Sequence, residues 1–123
     1  MPHERLQEFV IIDYTKEMVI LAVTNPGENE EVVGVCQYGI DEFTHSAEVA
    51  FVVRDDHQGK GIGMEMLKYI TTLAKKEGLL GFTAEVLMEN RPMLHLFEKM
   101  GFDISRKTGE GVYELKMAFR GIQ

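Results

Sequence analysis

Residues 46–70 read SAEVAFVVRDDHQGKGIGMEMLKYI, and the fold turns on how this stretch is parsed. SAEVAFVV (46–53) is an apolar, β-branched run interrupted by one acid, Glu48, and reads as a strand. From Ile62 onward, apolar residues recur at Met66, Leu67, Ile70, Leu73 and Ala74. That spacing is helical, and KKEG with a stop at Gly78 closes it. Between strand and helix, Gly59, Gly61 and Gly63 fall at every second position. A helix start presents N–H groups without intrahelical partners and the positive end of the dipole. Glycines there let an anion reach those amides without interference from a Cβ. A plain flexible turn is the competing reading. The G-x-G-x-G spacing is neither G-x-G-x-x-G nor G-x-x-x-x-G-K-[ST], since Lys60 is followed by Gly61.

Working outward, MVILAVT (18–24) and VVGVCQYGI (32–40) read as an antiparallel hairpin around the turn NPGENE (25–30). GFTAEVL (81–87) reads as a strand. Asn90-Arg91-Pro92 opens a second helix, with Leu94, Phe97 and Met100 on its inner face and Gly101 at its end. FDISRK (102–107) and VYELKMAF (112–119) form a closing hairpin around TGEG. At the other end, HERLQEFVII (3–12) follows Pro2 and reads as a short helix with Leu6, Phe9 and Val10 on one side. Asp13-Tyr14 breaks it. The predicted order is helix, three strands, helix, strand, helix, two strands. Strand 46–53, the helix and strand 81–87 make a right-handed parallel crossover. The fold class is therefore α/β (α+β), a mixed, mostly antiparallel sheet flanked by helices on its faces.

Composition bounds the function. The chain has 123 residues, 45% hydrophobic and 27% charged, an ordinary single globular domain of 1–123. Cys36 is the single cysteine, so no internal disulfide can form, and a reducing cytoplasm is expected. Its bland role is a small buried strand residue. No apolar run reaches the roughly 18–20 residues of a membrane helix, and MPHERLQEF lacks the apolar centre of a signal peptide. A formal charge of −7 argues against nucleic acid, which needs clustered Lys and Arg. It favours a cationic partner such as an amine, or serves solubility alone. His3, His45, His57 and His95 are scattered, so no metal is inferred, and His57 reads as a surface residue beside the glycines.

Gln58-Gly59-Lys60-Gly61-Ile62-Gly63 resembles the Q/R-x-x-G-x-G/A coenzyme A loop of the GNAT acetyltransferases. NRPMLHLFEKMGF (90–102) resembles that family's N-x-x-A-x-x-L-Y-E-x-x-G-F segment. The ordered set covers about residues 17–119. IDYTKEMVILAV (12–23), together with SAEVAFVVRDDHQGKGIG, is similar to the C-terminal domain of bacterial protein lysine acetyltransferases. The resemblance implies a GNAT fold and acetyl-CoA as co-substrate. It implies that the backbone of Phe51, Val52 and Val53 pairs with the pantetheine arm and polarises the thioester carbonyl. The amides of Gly59, Lys60, Gly61, Ile62, Gly63 and Met64 would hold the pyrophosphate. Gln58 would open the loop, and Asn90 would touch the coenzyme arm from the second strand.

An amine acceptor has a free pKa of about 10.4 and must lose a proton before attacking a thioester. Glu48 is the leading base. It interrupts an apolar strand, where burial would be costly without a partner and would raise its pKa. Family members often carry a glutamate base at this place. Glu85, in TAEVL on the neighbouring strand, is the alternative; its bland reading is a strand acid facing solvent. A strand amide near Val52 or Val53 is positioned to stabilise the oxyanion. Many relatives place a tyrosine acid where this chain has Phe97, so the acid is unassigned. The family fold usually opens with a strand and two helices, whereas only residues 1–16 precede the first hairpin here. The matching expectations are a minimal form with a shortened N-terminus, a piece of a longer polypeptide, or a homodimer partner that completes the acceptor wall. The expected function is acetyl transfer to a primary amine, a small molecule or a protein lysine. The alternative is a catalytically weak coenzyme A-binding regulatory module.

Overall fold

The structure, a computed structural model, describes residues 8–24, 29–59 and 61–120. Strands β1 (Glu8–Asp13), β2 (Glu17–Thr24), β3 (Glu31–Asp41) and β4 (Ser46–Val53) form an antiparallel meander. Helix α1 (Ile62–Lys76) leads to β5 (Gly81–Leu87), which pairs parallel to β4. Helix α2 (Arg91–Lys99) leads to the hairpin of β6 (Asp103–Thr108) and β7 (Val112–Ala118), and β7 pairs with β5. The seven strands run in the order β1-β2-β3-β4-β5-β7-β6.

The expected N-terminal helix is not formed over residues 8–12; residues 1–7, with Leu6, lie outside the described residues. FVII carries three β-branched residues in a row, which suit a pleated ribbon better than a helix. Beta pairing also gives each residue a partner: Phe9 lies opposite Ala22, and Ile11 opposite Ile20. Phe9 then stacks on Tyr69 of α1, ring centroids 5.3 Å apart. The turn expected at 25–30 falls partly outside the described residues.

Both helices lie on the same face of the sheet, rather than on its two faces. Strand alternation sends Ala47, Val49 and Phe51 of β4 to that face, and Phe82, Ala84 and Val86 of β5 with them. Against these pack Ile62, Met66, Leu67, Ile70 and Ala74 of α1, and Phe97 of α2, all buried. Burying each of the larger of these side chains is worth roughly 1.5–3 kcal/mol, so this one layer supplies the core. The opposite face of the sheet carries no helix among the described residues. It presents Glu48, Ala50 and Val52 of β4, and Glu85 and Leu87 of β5, all exposed.

Candidate active site

The two central strands part company. β4 and β5 are paired only at Ser46–Gly81, Ala47–Phe82 and Glu48–Thr83. Beyond Glu48 and Thr83 both strands continue, β4 to Val53 and β5 to Leu87, each keeping only its outer partner. A fork opens between them, with α1 starting above one prong and α2 above the other.

Antiparallel pairing alternates which backbone groups face a given neighbour. Arg54 donates its N–H to the Val33 carbonyl, 2.8 Å away on β3. In register with it, the backbone groups of Val52, Ala50 and Glu48 also turn to β3. Those of Val49, Phe51 and Val53 turn into the fork. The implied trio Phe51, Val52 and Val53 is therefore split. Val52 has its amide and carbonyl committed to β3, and its side chain stands 70% exposed on the bare face. The Val53 carbonyl accepts from Gln58 Nε2 at 3.0 Å, so the residue that opens the loop is fastened to the end of β4.

The glycines divide by cause. Gly59 and Gly61 have φ of 81° and 85°, a left-handed conformation that other residues rarely adopt. A Cβ on either would meet no atom within 4 Å, so the constraint is backbone conformation and not crowding. Gly63 lies inside α1, and a Cβ there would stand 2.9 Å from Leu96 Cδ1. Its small size lets α1 and α2 approach. Lys60 lies outside the described residues. No side chain caps α1, and its first ladder bond is Glu65 N–H to Gly61 C=O, 3.0 Å. The amides of Gly61, Ile62, Gly63 and Met64 thus have no intrahelical partner.

At the other prong, Asn90 Oδ1 accepts from the Met93 N–H at 3.3 Å and caps α2. Phe97 is buried, its ring edge-on to Phe51 with centroids 5.9 Å apart. The inner wall of the fork is therefore apolar, with no hydroxyl at this place.

Glu48 sits at the root of the fork, exposed on the bare face. The burial expected for it is absent, because alternation turns Glu48 away from the side that α1 covers. Glu85 is on the same face two residues beyond Thr83, directly opposite Glu114 on β7. Glu48, Thr83, Glu85, Glu114 and Lys116 line one open cleft of about 360 Å³. The helix side and the carboxylate side of the fork are thus separate approaches that meet at one place.

The segment before the glycines is a cross-braced 3₁₀ turn, Asp55–His57. Arg54 grips Asp56 with Nε to Oδ1 at 2.8 Å and Nη2 to Oδ2 at 2.9 Å. Nη2 also reaches Glu31 Oε1 at 3.0 Å. His57, expected at the surface, is only 3% exposed, with Nδ1 2.9 Å from Asp56 Oδ1. Hydrogen bonds from Arg54, then from His57, hold the Asp56 carboxyl well below the usual carboxylate range. An ionised Asp56 can only accept, so His57 Nδ1 carries the proton. The signal for this network, an arginine and two acids directly before a histidine, was visible in RDDH but has no fixed meaning without geometry.

The profile of the Acetyltransferase (GNAT) family matches residues 2–102. This chain belongs to the GNAT acetyltransferase family. Over 82 residues this GNAT chain is 33% identical to the "L-amino acid N-acyltransferase MnaT" of Escherichia coli (strain K12), 63% of this chain and 48% of that protein. Over 55 residues it is 40% identical to the "Acetyltransferase Pat" of Mycolicibacterium smegmatis, 45% of this chain and 16% of that one. The crystal structure of the GNAT domain of S. lividans PAT superposes with a TM-score of 0.73 at 28% identity, covering 88% of this chain and 64% of that chain. The GNAT chain spans about half the length, or less, of these curated relatives.

Proposed function

We propose that the chain is an acetyl-CoA-dependent N-acetyltransferase acting on a primary amine. The observation that carries this reading is the fork. Its helix side offers α1 amides with no partner inside the helix and the inward backbone of Phe51 and Val53, which fit an anionic headgroup followed by an extended amide arm. Its other side offers a carboxylate at the root, Glu48. Acetyl-CoA is a substrate here: its thioester supplies the acyl group, and its thiol is the leaving group.

On this reading the bare backbone at Gly59 and Gly61 and the amides of Ile62, Gly63 and Met64 hold the pyrophosphate, aided by the helix dipole. Phe51 and Val53 hold the arm through their backbone, and Asn90, which caps α2 just beyond the end of the second prong, touches it from that side. Glu48 takes the proton from the acceptor ammonium, directly or through a water. Glu85, in the same cleft, is the second candidate. The freed amine attacks the thioester carbonyl and the C–S bond breaks. Phe97 cannot protonate the sulfur, so the thiolate takes its proton from water or from the departing amine proton.

The acceptor is an amine of one of two kinds. The resemblance of residues 12–23 and 46–63 to bacterial protein lysine acetyltransferases supports a protein lysine; the likeness to an L-amino acid N-acyltransferase supports a small amino compound. A second reading is favoured by Phe97: a coenzyme A-binding module with weak catalysis. A thiol-release assay with acetyl-CoA against small amines, amino acids and lysine peptides separates them. Acceptor-dependent thiol release is expected. Coenzyme binding with no release from any acceptor sinks the enzyme reading and leaves the module.

A further inference from the structure

The turn that precedes the glycines is held by several ionised contacts, and the reaction outlined above uses none of them. Glu31 at the start of β3, Arg54 at the end of β4 and Asp56 in the turn form one chain of contacts through the Arg54 guanidinium. Asp56 passes the chain on to buried His57. Beside it, Gln58 Nε2 donates to both Val53 O and, at 3.3 Å, Asp55 Oδ1. The His57 N–H closes the turn on Arg54 C=O at 2.8 Å.

We infer that Asp56 is a positioning residue for the coenzyme site, locking Arg54 and His57 so that the chain enters Gly59 and Gly61 in one conformation. This rests on the coenzyme reading above. The physical case begins with entropy. Glycine has the widest backbone freedom of any residue, so holding Gly59 and Gly61 in one left-handed conformation costs conformational entropy. A ligand held by their amides bears that cost unless the entry to the loop is already fixed. Isolated exposed ion pairs contribute little, but a two-pronged Arg–carboxylate contact joined to a second acid is the geometry in which they do. The Asp56 side chain is 61% exposed and Arg54 42%, so neither belongs to the core whose loss would unfold the domain.

Positioning and simple electrostatics predict opposite signs. Asp56 is an acid three residues before a proposed pyrophosphate cradle. If it acts only through its charge, it repels the ligand, and removing the charge tightens binding. If it positions the loop, removing it weakens binding. Asp56→Asn keeps the shape but presents an N–H₂ to Arg54 Nη2, donor against donor, and breaks the two-pronged contact. Arg54→Lys keeps the charge and loses the fork.

The experiment is calorimetric titration of coenzyme A into the wild-type chain, Asp56→Asn and Arg54→Lys, with thermal midpoints recorded alongside. Both variants are expected to bind about tenfold more weakly, with midpoints lowered by no more than a few degrees. In the acetyl-transfer assay the loss should fall on the KM for acetyl-CoA and not on kcat. Tighter binding by Asp56→Asn, or unchanged binding by both variants, overturns the positioning role while leaving the coenzyme reading intact. Absence of binding by the wild type overturns the coenzyme reading, and this inference with it.

Discussion

Glu48 and Thr83 are the last paired residues of β4 and β5, and the fork opens immediately beyond them. The carboxylate therefore stands where the two strands separate, on the face opposite the helices. Replacing it with glutamine keeps the size and removes the base. Glu48→Gln is expected to lower kcat about 100-fold, within the usual range for losing a general base. Coenzyme A affinity, measured by calorimetry, should change little, because the ligand's proposed contacts are on the other side of the sheet. Equal losses in both would make Glu48 a structural residue. Glu85→Gln, in the same cleft, tests the alternative by the same two measurements.

The three glycines should respond differently to alanine. At Gly59 and Gly61 the left-handed backbone opposes any Cβ by about 1–2 kcal/mol per residue. Gly61→Ala is expected to weaken coenzyme A binding and to lower the thermal midpoint by a few degrees. At Gly63, alanine gains up to about 1 kcal/mol of helix propensity but pushes on Leu96, whose Cδ1 is the mobile tip of its side chain. Its net effect on stability should be close to zero. A Gly63→Val variant, larger and β-branched, should lower the midpoint clearly.

A stability test lies at the start of β5. An added Cβ on Gly81 would fall 2.2 Å from the Met117 carbonyl oxygen, which is backbone and cannot turn aside. Gly81→Ala must therefore shift β7 or β5. The expected loss is about 1–3 kcal/mol or more, read from urea unfolding. An unchanged midpoint would contradict the close β5–β7 approach.

The pH dependence of stability follows from two buried groups. Burial lifts the Cys36 thiol from 9.0 to about 12. Burial, then the charges of Glu77 and Asp13, lift the Tyr38 phenol from 10.0 to about 12. Both pKa values are higher in the folded state than in the unfolded one. Their contribution is thus whole below pH 9 and is lost as pH rises from about 9 to 12, each group losing about 1.4 kcal/mol per pH unit between its two pKa values. Asp56 acts in the opposite direction: its folded pKa is depressed, so its exposed contribution fades as pH falls below the ordinary carboxylate value. Thermal midpoints across pH 7–11 should decline at the alkaline end.

The same burial makes Cys36 inert. The native chain should not react with a disulfide reagent at pH 8, whereas the urea-unfolded chain should titrate one thiol. Rapid labelling of the native protein would show that β3 opens readily.

Most elements were legible because each had one dominant signal. Helix α1 had six apolar residues at helical spacing, and α2 had Asn90, Pro92 and a closing Gly101. β1 was misread because FVII has too few residues to separate periods of 2 and 3.6, and its pairing with β2 is a tertiary fact. The bare face was not legible: SAEVAFVV looks equally apolar on both sides, since alanine and valine occupy the exposed positions. That ambiguity made Glu48 look buried when alternation turns it outward. The glycine loop was visible as a motif, but only backbone angles separate Gly59 and Gly61 from Gly63. The Glu31–Arg54–Asp56 contacts were hidden because Glu31 and Arg54 are far apart in sequence and meet only when β3 pairs with β4.

If the fork and the glycine turn form one coenzyme site, backbone amide shifts recorded during a coenzyme A titration will show it directly. The largest changes are expected at Phe51, Val53 and Gly59 through Met64, with Val52, committed to β3, moving less than its two neighbours. Changes confined to the bare face or the β6–β7 hairpin, or no changes at all, would contradict it.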